Sequence, residues 1–482
     1  GFHRIKSYLQ INNPGFDLQW HNVNRVEIGR DLNVTGVWGQ GITGKGIAIA
    51  ILDDGLDMDH KDLQSNYFPE GSYDFNDHVL EPRPRLHDDT HGTRCAGEIA
   101  AIKNGTCGVG VAYEAKVAGI RILSGELTEA DEAAAINYAF QKNHIYSCSW
   151  GPPDTGEVVQ EPSPIVLDAI KNGINNGRNG SGSIFVFASG NGGTNDDNCN
   201  FDGYTNSIYT LTVGAVDRHG EHPPYAEKCA AQLMVAYSSG KGSHIYTTDV
   251  SNKCTNDHGG TSAAAPLAAG VLALVLSVRP DLSWRDVQHL CVQSATPFSL
   301  HDPDWADLPS GRKFNHKFGY GVVDAYKIVE MAKNFKKVGD QVSLDVKSSK
   351  DLTDLIPDIT PALPEAAVNN DEAYTNTLNV TVKHIEDVQL SRVEHVTVTV
   401  NIQHERRGDL EIYLESPNGI VSQLATSRKN DESTEGFSNW TFMTVKHWEE
   451  NPIGPWTLRV IDGKKPQHTG TFHGWKMTLW GE

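Results

Sequence analysis

What this chain lacks narrows its function first. None of its 7 cysteines form a Cys-x-x-Cys pair, which weakens zinc and redox readings. Basic residues are in deficit: 41 Lys and Arg stand against 61 Asp and Glu, for a formal net charge of −20. A surface that binds phosphates needs clustered Lys and Arg, so nucleic acid is not an expected partner. The acidity either attracts cationic partners or merely keeps the chain soluble, and composition does not separate the two. No window is low-complexity, and Gly 46 and Pro 22 are ordinary fractions. No apolar run has the length of a bilayer span; the longest, Ala263 to Leu276, reads as a core helix. The opening GFHRIKSYLQ has no signal-peptide core, so the expectation is a soluble, processed form of something longer. Membrane attachment is then expected only through a segment outside this sequence.

An odd cysteine count leaves at least one thiol unpaired within the chain. Five glycosylation sequons stand at Asn33, Asn104, Asn179, Asn379 and Asn439. Together they lean towards a secretory compartment and a glycoprotein. The length of 482 residues accommodates more than one domain. Strand-like runs GIAIAIL (46–52), AKVAGIRIL (115–123), IYSCSWG (145–151), SIFVFASG (183–190) and IYTLTVGAV (208–216) are apolar on both faces. Helical stretches such as 131–143 and 166–177 lie between them. That alternation predicts a parallel sheet with helices on both faces, and a ligand site beyond the carboxyl ends of the strands. Around 340–375 the periodicity fades into a linker-like stretch with Pro, Asp and Ser. Beyond it Val396, Val398, Val400 and Ile402 alternate with Thr397, Thr399 and Asn401, and Leu410, Ile412 and Leu414 repeat the pattern. An antiparallel sandwich follows from that period of two. The expected domains are 1–337 and 338–482.

The chemistry gathers at the predicted strand and helix ends. AILDDG (50–55) ends a strand on two carboxylates, and DDTHGTRCAGEIAA (88–101) places His91 at the start of a helix. FVFASGNGG (185–193) carries Asn191 in a Gly-rich turn, and HGGTSAAAPLAAG (258–270) sets Thr261 and Ser262 at the mouth of an apolar helix. A hydroxyl there either caps the helix or acts as a nucleophile. Each piece alone is commonplace. Together they are the parts of serine catalysis: Ser262 attacks, His91 takes its proton, Asp53 holds the imidazole and Asn191 donates to the oxyanion. The order Asp, His, Ser is that of subtilisins. The i, i+4 pair His87 and His91 mimics a zinc-protease helix, but Asp88 stands where the general-base Glu belongs.

These motifs, with SCSWGP and CNFDGYTNSIYT, resemble the kexin/furin family of proprotein convertases in the subtilase superfamily, and its fungal kexins most. RRGDLEIYLESPNG (406–419) and GFSNWTFMT (436–444) resemble that family's P domain. The resemblance implies an α/β subtilisin-like domain followed by an all-β P domain. It implies a calcium-dependent endoprotease that cuts proproteins after Lys-Arg or Arg-Arg. By the same resemblance Asp202, with Asp154 beside it, receives the arginine before the scissile bond, and Asp54 with Asp88 receives the preceding basic residue. Ser149, Trp150 and Gly151 line the substrate cleft, and Glu132 and Tyr204 lie near the pocket for the fourth residue upstream. Gln160 stands where furin-like relatives carry Asp, which favours a dibasic rule over a demand for upstream arginine. Asp154, Asp197 and Glu227 match one calcium site. Asp62, Asn104, Asn13 and the carbonyls of Ile102, Thr106 and Gly108 match a second, with Asn13 in place of an Asp; a third site has no assigned ligands. Ligation by Asn104 would compete with its glycosylation. Cys107–Cys254 and Cys199–Cys229 are implied as bridges, leaving Cys95, Cys148 and Cys291 as thiols. Cys95 follows His91 by four residues, so it is either an oxidant- and mercurial-sensitive thiol or an inert buried one. The expected form is a zymogen-derived monomer of the secretory lumen, in the late Golgi and membrane-anchored at full length, with its own propeptide as inhibitor. Two rivals share some of these residues: a broad-specificity degradative subtilase, and a calcium-dependent binding module with a vestigial site.

Overall fold

The computed structural model describes residues 1–349, 351–358, 373–463 and 468–482. Burial explains why the apolar runs become parallel strands. β1 (Ala48–Asp53), β2 (Tyr73–Asp74), β3 (Lys116–Arg121), β4 (Ile145–Cys148), β5 (Ile184–Ala188), β6 (Thr210–Val216) and β7 (Met234–Tyr237) form one parallel sheet in the order β2-β3-β1-β4-β5-β6-β7. β1, β4, β5, β6 and β7 are buried at every position, as strands covered by helices on both faces must be. The hairpin β8 (Ile245–Asp249) and β9 (Lys253–His258) leads into the serine segment.

Two short helices, α1 (Phe2–Leu9) and α2 (Thr35–Trp38), pack at the N-terminus, and α3 (His91–Ala100) crosses the centre of the sheet. α4 spans Glu129–Ile136, capped by the Thr128 hydroxyl, and α5 spans Pro164–Asn176. The helix expected over 131–143 therefore stops at Ile136. Ala139 takes a positive φ of 50°, and the Asn137 amide donates to the Ala169 carbonyl at 2.6 Å instead of facing solvent. α6 (Thr261–Val278) is buried at every position from Ala263 to Leu276. Its length and apolarity would also suit a membrane, but 83 % of it is enclosed by protein, so it is the core helix its sequence predicts. α7 (Trp284–Ser294) starts with a reciprocal capping box between Ser283 and Asp286, and α8 (Ala325–Lys333) follows the short strands β10 (Ala306–Asp307) and β11 (Lys313–Phe314).

The C-terminal part is a sandwich of two antiparallel sheets. One joins β12 (Val342–Lys347), β13 (Asp354–Leu355), β15 (Val393–His404), β18 (Phe437–Thr444) and β20 (Gly470–Gly481), in the order β12-β20-β15-β18 with β13 also on β20; the other has the order β14-β19-β16-β17, from β14 (Tyr374–Val380), β16 (Leu410–Glu415), β17 (Val421–Ala425) and β19 (Gly454–Asp462). Val396, Val398 and Val400 are fully buried while Thr397 and Thr399 are half-exposed, so the period of two places the core face as expected. The linker reading of 340–375 fails at its start. Val342, Leu344 and Val346 alternate with Ser343, Asp345 and Lys347, and β12 pairs along its whole length with β20. Its charged residues point outward, which hides an edge strand inside a loop-like composition. Residues 359–372 of that stretch lie outside the described residues.

The two cores interpenetrate. Met443, Val445 and Trp448 belong to the core of the α/β part, while Phe201 belongs to that of the sandwich. Arg285 of α7 makes a two-pronged pair with Glu394 of β15 at 2.8 and 2.7 Å, and His289 Nε2 reaches the same carboxylate at 2.8 Å. All three are buried; losing one partner of such a pair costs about 3–5 kcal/mol because the other charge is stranded. The sandwich is thus a structural partner of the α/β part.

Candidate active site

The carboxyl end of β1 and the start of α3 meet beyond the sheet edge, where open α/β folds place their sites. Asp53 is buried, and its Oδ2 lies 2.7 Å from His91 Nδ1. Gly92 permits this approach, since a Cβ there would stand 2.0 Å from the Gly55 carbonyl. Burial is the largest single influence and opposes charge on His91, but the Asp53 carboxylate and Cys95 together outweigh it and hold the imidazole well above its ordinary pKa. Asp54 turns out to serve α3 as well as the cleft. Its two oxygens accept the Gly92 and His91 amides at 2.7 and 3.1 Å, satisfying two free donors of the helix start. Burial, and then neighbouring Asp53, push its carboxyl up to about 7.

Ser262 sits in the first turn of α6, and the helix is capped by Gly260 with no side-chain cap, so neither hydroxyl is spent on capping. Pro266 lies four residues on. It has no N–H for the Ser262 carbonyl, which instead accepts the Ser149 hydroxyl at 3.0 Å and the Cys95 thiol at 3.7 Å. Proline thus ties the serine turn to the end of β4 and to α3. Asn191 follows β5. Its Oδ1 accepts both the Thr261 amide and the Thr261 hydroxyl at 2.8 Å, which spends the amide oxygen of this exposed residue and leaves the Nδ2 hydrogens as its donors. Thr261 was visible in the sequence only as half of Thr-Ser; the fold makes it the residue that orients Asn191.

A cleft of about 480 Å³ in front of His91 is lined by Asp53, Asp54, Asp88, Asp89 and Ser149 among others. Asp88 is exposed at its rim. Asp89, not singled out by the sequence, is buried and paired with Arg121 at 3.1 Å. Farther along, Asp202 accepts the Tyr204 amide at 2.7 Å, and burial pushes its carboxyl up to about 7. A Cβ on Gly151 would stand 2.9 Å from Asp202 Oδ2, so only glycine leaves that carboxylate open. Trp150 packs edge-on against Phe187 and Tyr204, whose hydroxyl bonds Glu132. Gln160 pairs as a backbone bridge with Asp202.

Asp154, Asp197 and Glu227 bring carboxylate oxygens within 4.8 Å of one another. Burial, opposed by Arg428, lifts Asp197 to about 6, and burial beside the other two carboxylates drives Glu227 well above its ordinary range. Three crowded carboxylates with one buried suit a hard divalent cation. The sandwich supplies the nearby cation: buried Arg428 donates to Asp197 Oδ1 at 3.1 Å and to the Val158 carbonyl at 2.9 Å, and lies over the Phe201 ring at 4.0 Å. The second expected set is assembled differently. Asn13 Nδ2 donates to the Ile102 and Gly108 carbonyls at 3.1 and 3.2 Å, its Oδ1 accepts the Asn104 amide, and the Asp62 oxygens accept Thr106 and Cys107 amides. With one carboxylate and an amide facing those carbonyls, a cation there requires the Asn13 amide to turn. Cys107–Cys254 and Cys199–Cys229 are bridged, with Cα separations of 5.6 and 5.3 Å, and Cys95, Cys148 and Cys291 are buried thiols. Burial pushes the Cys95 thiol up to about 12, which matches the inert reading towards oxidants.

Residues 44–321 match the subtilase family and 393–479 the proprotein convertase P domain. A dibasic-processing endoprotease of Schizosaccharomyces pombe is 51 % identical over 482 residues, covering 99 % of this chain and 67 % of that protein. Kexin of Saccharomyces cerevisiae is 48 % identical over 98 % of this chain and 57 % of its own length, and furin of Mus musculus 43 % over 98 % and 58 %. This chain thus spans between about half and two thirds of these relatives. A serine protease of Aeromonas sobria superposes with a TM-score of 0.86 at 22 % identity, covering 98 % of this chain and 96 % of that one; at that identity the likeness shows the fold. With a family match across the α/β part and half-identical relatives along its whole length, the chain belongs to the subtilase family, in its kexin-like branch with a P domain.

Proposed function

We propose that this chain is a calcium-dependent serine endoprotease that cuts proproteins after paired basic residues, within the secretory pathway. The observation that carries the reading is the Asp53–His91 bond of 2.7 Å beside a cleft lined by Asp54 and Asp88. Ser262 is the nucleophile, His91 Nε2 takes its proton and returns it to the leaving amine, and Asp53 fixes the tautomer. Asn191 Nδ2, oriented through Thr261, and the amides at the start of α6 stabilise the oxyanion. Asp202 pairs with the arginine before the cut, and Asp54 with Asp88 the residue ahead of it. Bound calcium supplies positive charge among Asp154, Asp197 and Glu227. The second set, with its single carboxylate, is the weaker site. The catalytic domain is taken as 1–337 and the P domain as 338–482, and the late Golgi lumen and inhibition by the chain's own propeptide belong to the same reading. Labelling by an active-site serine probe, lost in Ser262→Ala, tests it; an unlabelled wild type contradicts it.

Three outcomes follow at this level. Asn191→Ala is expected to lower kcat about a hundredfold to a thousandfold with KM nearly unchanged, because the donor acts on the oxyanion alone. A defect confined to KM would reduce Asn191 to a turn residue.

Chelation is expected to lower melting temperature and activity together, since the three carboxylates then repel one another. Arg428→Ala should widen the melting gap between calcium-loaded and chelated protein, because it removes the cation that contacts Asp197. Melting unaffected by exhaustive chelation would remove calcium from the account.

Acidification gives the third. Asp202 takes up a proton below about 7, so KM for substrates ending in arginine should rise as pH falls through that value. For substrates with no basic residue ahead of the arginine, and so none for Asp54 to bind, Asp202→Asn should have a high KM that no longer changes with pH. A pH-dependent KM that persists in Asp202→Asn would assign the titration elsewhere.

A further inference from the structure

A protease that cuts after paired basic residues is exposed to its own specificity. Adjacent basic residues stand in this chain at Arg312-Lys313, Lys336-Lys337, Arg406-Arg407, Arg428-Lys429 and Lys464-Lys465. Lys-Arg does not occur, and of these pairs Arg406-Arg407 alone ends in arginine. Under the dibasic reading, in which Asp202 receives that arginine, the Arg407–Gly408 bond is the chain's own matching sequence. Lys336-Lys337 lies exposed between α8 and β12, but it ends in lysine.

The fold closes the Arg407–Gly408 bond from several sides. Arg406 and Arg407 are 7 % and 9 % exposed, and Arg407–Asp409 form a buried 3₁₀ turn between β15 and β16. The Arg407 carbonyl, which a serine would attack, accepts the Leu410 amide. On the other side of the bond, the Gly408 amide donates to the Asp431 carbonyl at 3.0 Å. A Cβ on Gly408 would stand 2.2 Å from the Arg428 carbonyl, so glycine lets the turn press against that loop. The Asp431 carboxylate receives the Arg407 guanidinium at 2.7 and 3.2 Å and Arg428 at 2.7 Å. Arg406 donates to Asp409 at 2.5 Å and to the Lys429 carbonyl at 2.7 Å. Both guanidinium groups that the cleft would bind are thus already paired. Part of this hold comes from the α/β part, where Arg407 donates to the Glu157 carbonyl at 2.9 Å and Arg428 to Asp197 at 3.1 Å. Undocking the sandwich therefore weakens the turn.

We propose that Arg407–Gly408 is a latent self-cleavage site, locked by Asp431, which intact copies cut in copies whose sandwich has opened. Ser262 of the intact copy takes the Arg407 acyl group, Gly408 leaves as the amine, and one water releases the Arg407 carboxylate. The break falls where the chain passes from one sheet of the sandwich to the other. A defective copy loses a link between its sheets, and a folded copy is spared. The cutting rests on the dibasic reading, whereas the lock rests on the geometry of the turn.

The test uses the full chain carrying Ser262→Ala, which cannot cut itself, as substrate for a trace of wild type in calcium. A peptide of residues 402–412 is the unlocked reference. The peptide is expected to be cut after Arg407. The folded Ser262→Ala chain should be cut at least about a hundredfold more slowly, since cleavage of a buried segment follows the population of its open form. Adding Asp431→Asn should speed cleavage of the chain about tenfold or more, because it strands two buried guanidinium groups. The products should be fragments 1–407 and 408–482, identified by a new N-terminal Gly408. Arg428→Ala, which loosens Asp431 without touching the pair, should do the same and serves where Asp431→Asn fails to fold. An uncut peptide overturns the dibasic reading. A cut peptide with both variants as resistant as the Ser262→Ala chain, or that chain cut as fast as the peptide, overturns the lock alone. First cuts at any other bond overturn the site.

Discussion

Ser262→Ala is expected to lower turnover by about six orders of magnitude while melting temperature barely moves. The size follows from subtilisin triads, in which loss of the nucleophile alone costs about 10⁶ in kcat. What survives comes from the oxyanion donors and substrate binding, both untouched by the change. The structure makes the stability half stricter than a hydroxyl at a helix mouth would. A capping serine is worth up to ~2 kcal/mol, but Gly260 is the cap of α6 and Ser262 offers it no side-chain bond. The Ser262 carbonyl keeps its bond from Ser149 in the variant, because that bond is a backbone property enforced by Pro266. The check is a contaminant-free preparation assayed by single turnover and by melting. Retained turnover would remove Ser262 from the nucleophile role, and a large melting loss would make it structural.

The second large effect concerns the residue ahead of the arginine. Asp88→Asn combined with Asp54→Asn is expected to reduce the preference for Lys-Arg over Ala-Arg about thirtyfold or more. Removing one partner of a desolvated charge pair costs about 2–5 kcal/mol, and each ~1.4 kcal/mol is tenfold. The two aspartates separate in a way their spacing alone does not reveal. Asp88 lies exposed at the rim, so Asp88→Asn should alter preference with kcat nearly intact. Asp54 also holds the amides of His91 and Gly92, so Asp54→Asn should lower kcat as well by loosening the start of α3. Equal effects of the two single variants on kcat would contradict this division.

The sequence made legible what local patterns carry. Strands buried on both faces, the period of two in β15, and polar residues at strand and helix ends all follow from rules that act within a few residues. The Asp53–His91 pair was legible for the same reason, as each stands at the end of an element, and the proposed partners Asn191 and Ser262 lie at such ends too. What stayed hidden depends on chain segments meeting in space. Asp54 caps a helix 37 residues away, Thr261 orients Asn191 across 70, and Arg428 reaches Asp197 across 231. Pro266 carried no reading in the sequence, and only the packed structure shows which carbonyl it frees. β12 was missed because Ser343, Asp345 and Lys347 diluted an edge strand into a loop-like composition. His258, at the end of β9, gave no signal of its buried contacts, since they are made to Cys95, 163 residues away, and to Glu98, both on α3.

The central claim is that carboxylates in this cleft select paired basic residues for a serine nucleophile. Its most direct test is the ratio of kcat/KM for matched peptides ending in Lys-Arg and Ala-Arg, measured in calcium at fixed ionic strength. The account predicts that Lys-Arg is cut at least about a hundredfold faster, equivalent to roughly 2.7 kcal/mol, and that chelation abolishes both rates. Equal rates for the two peptides would contradict it and leave a broad-specificity subtilase in its place.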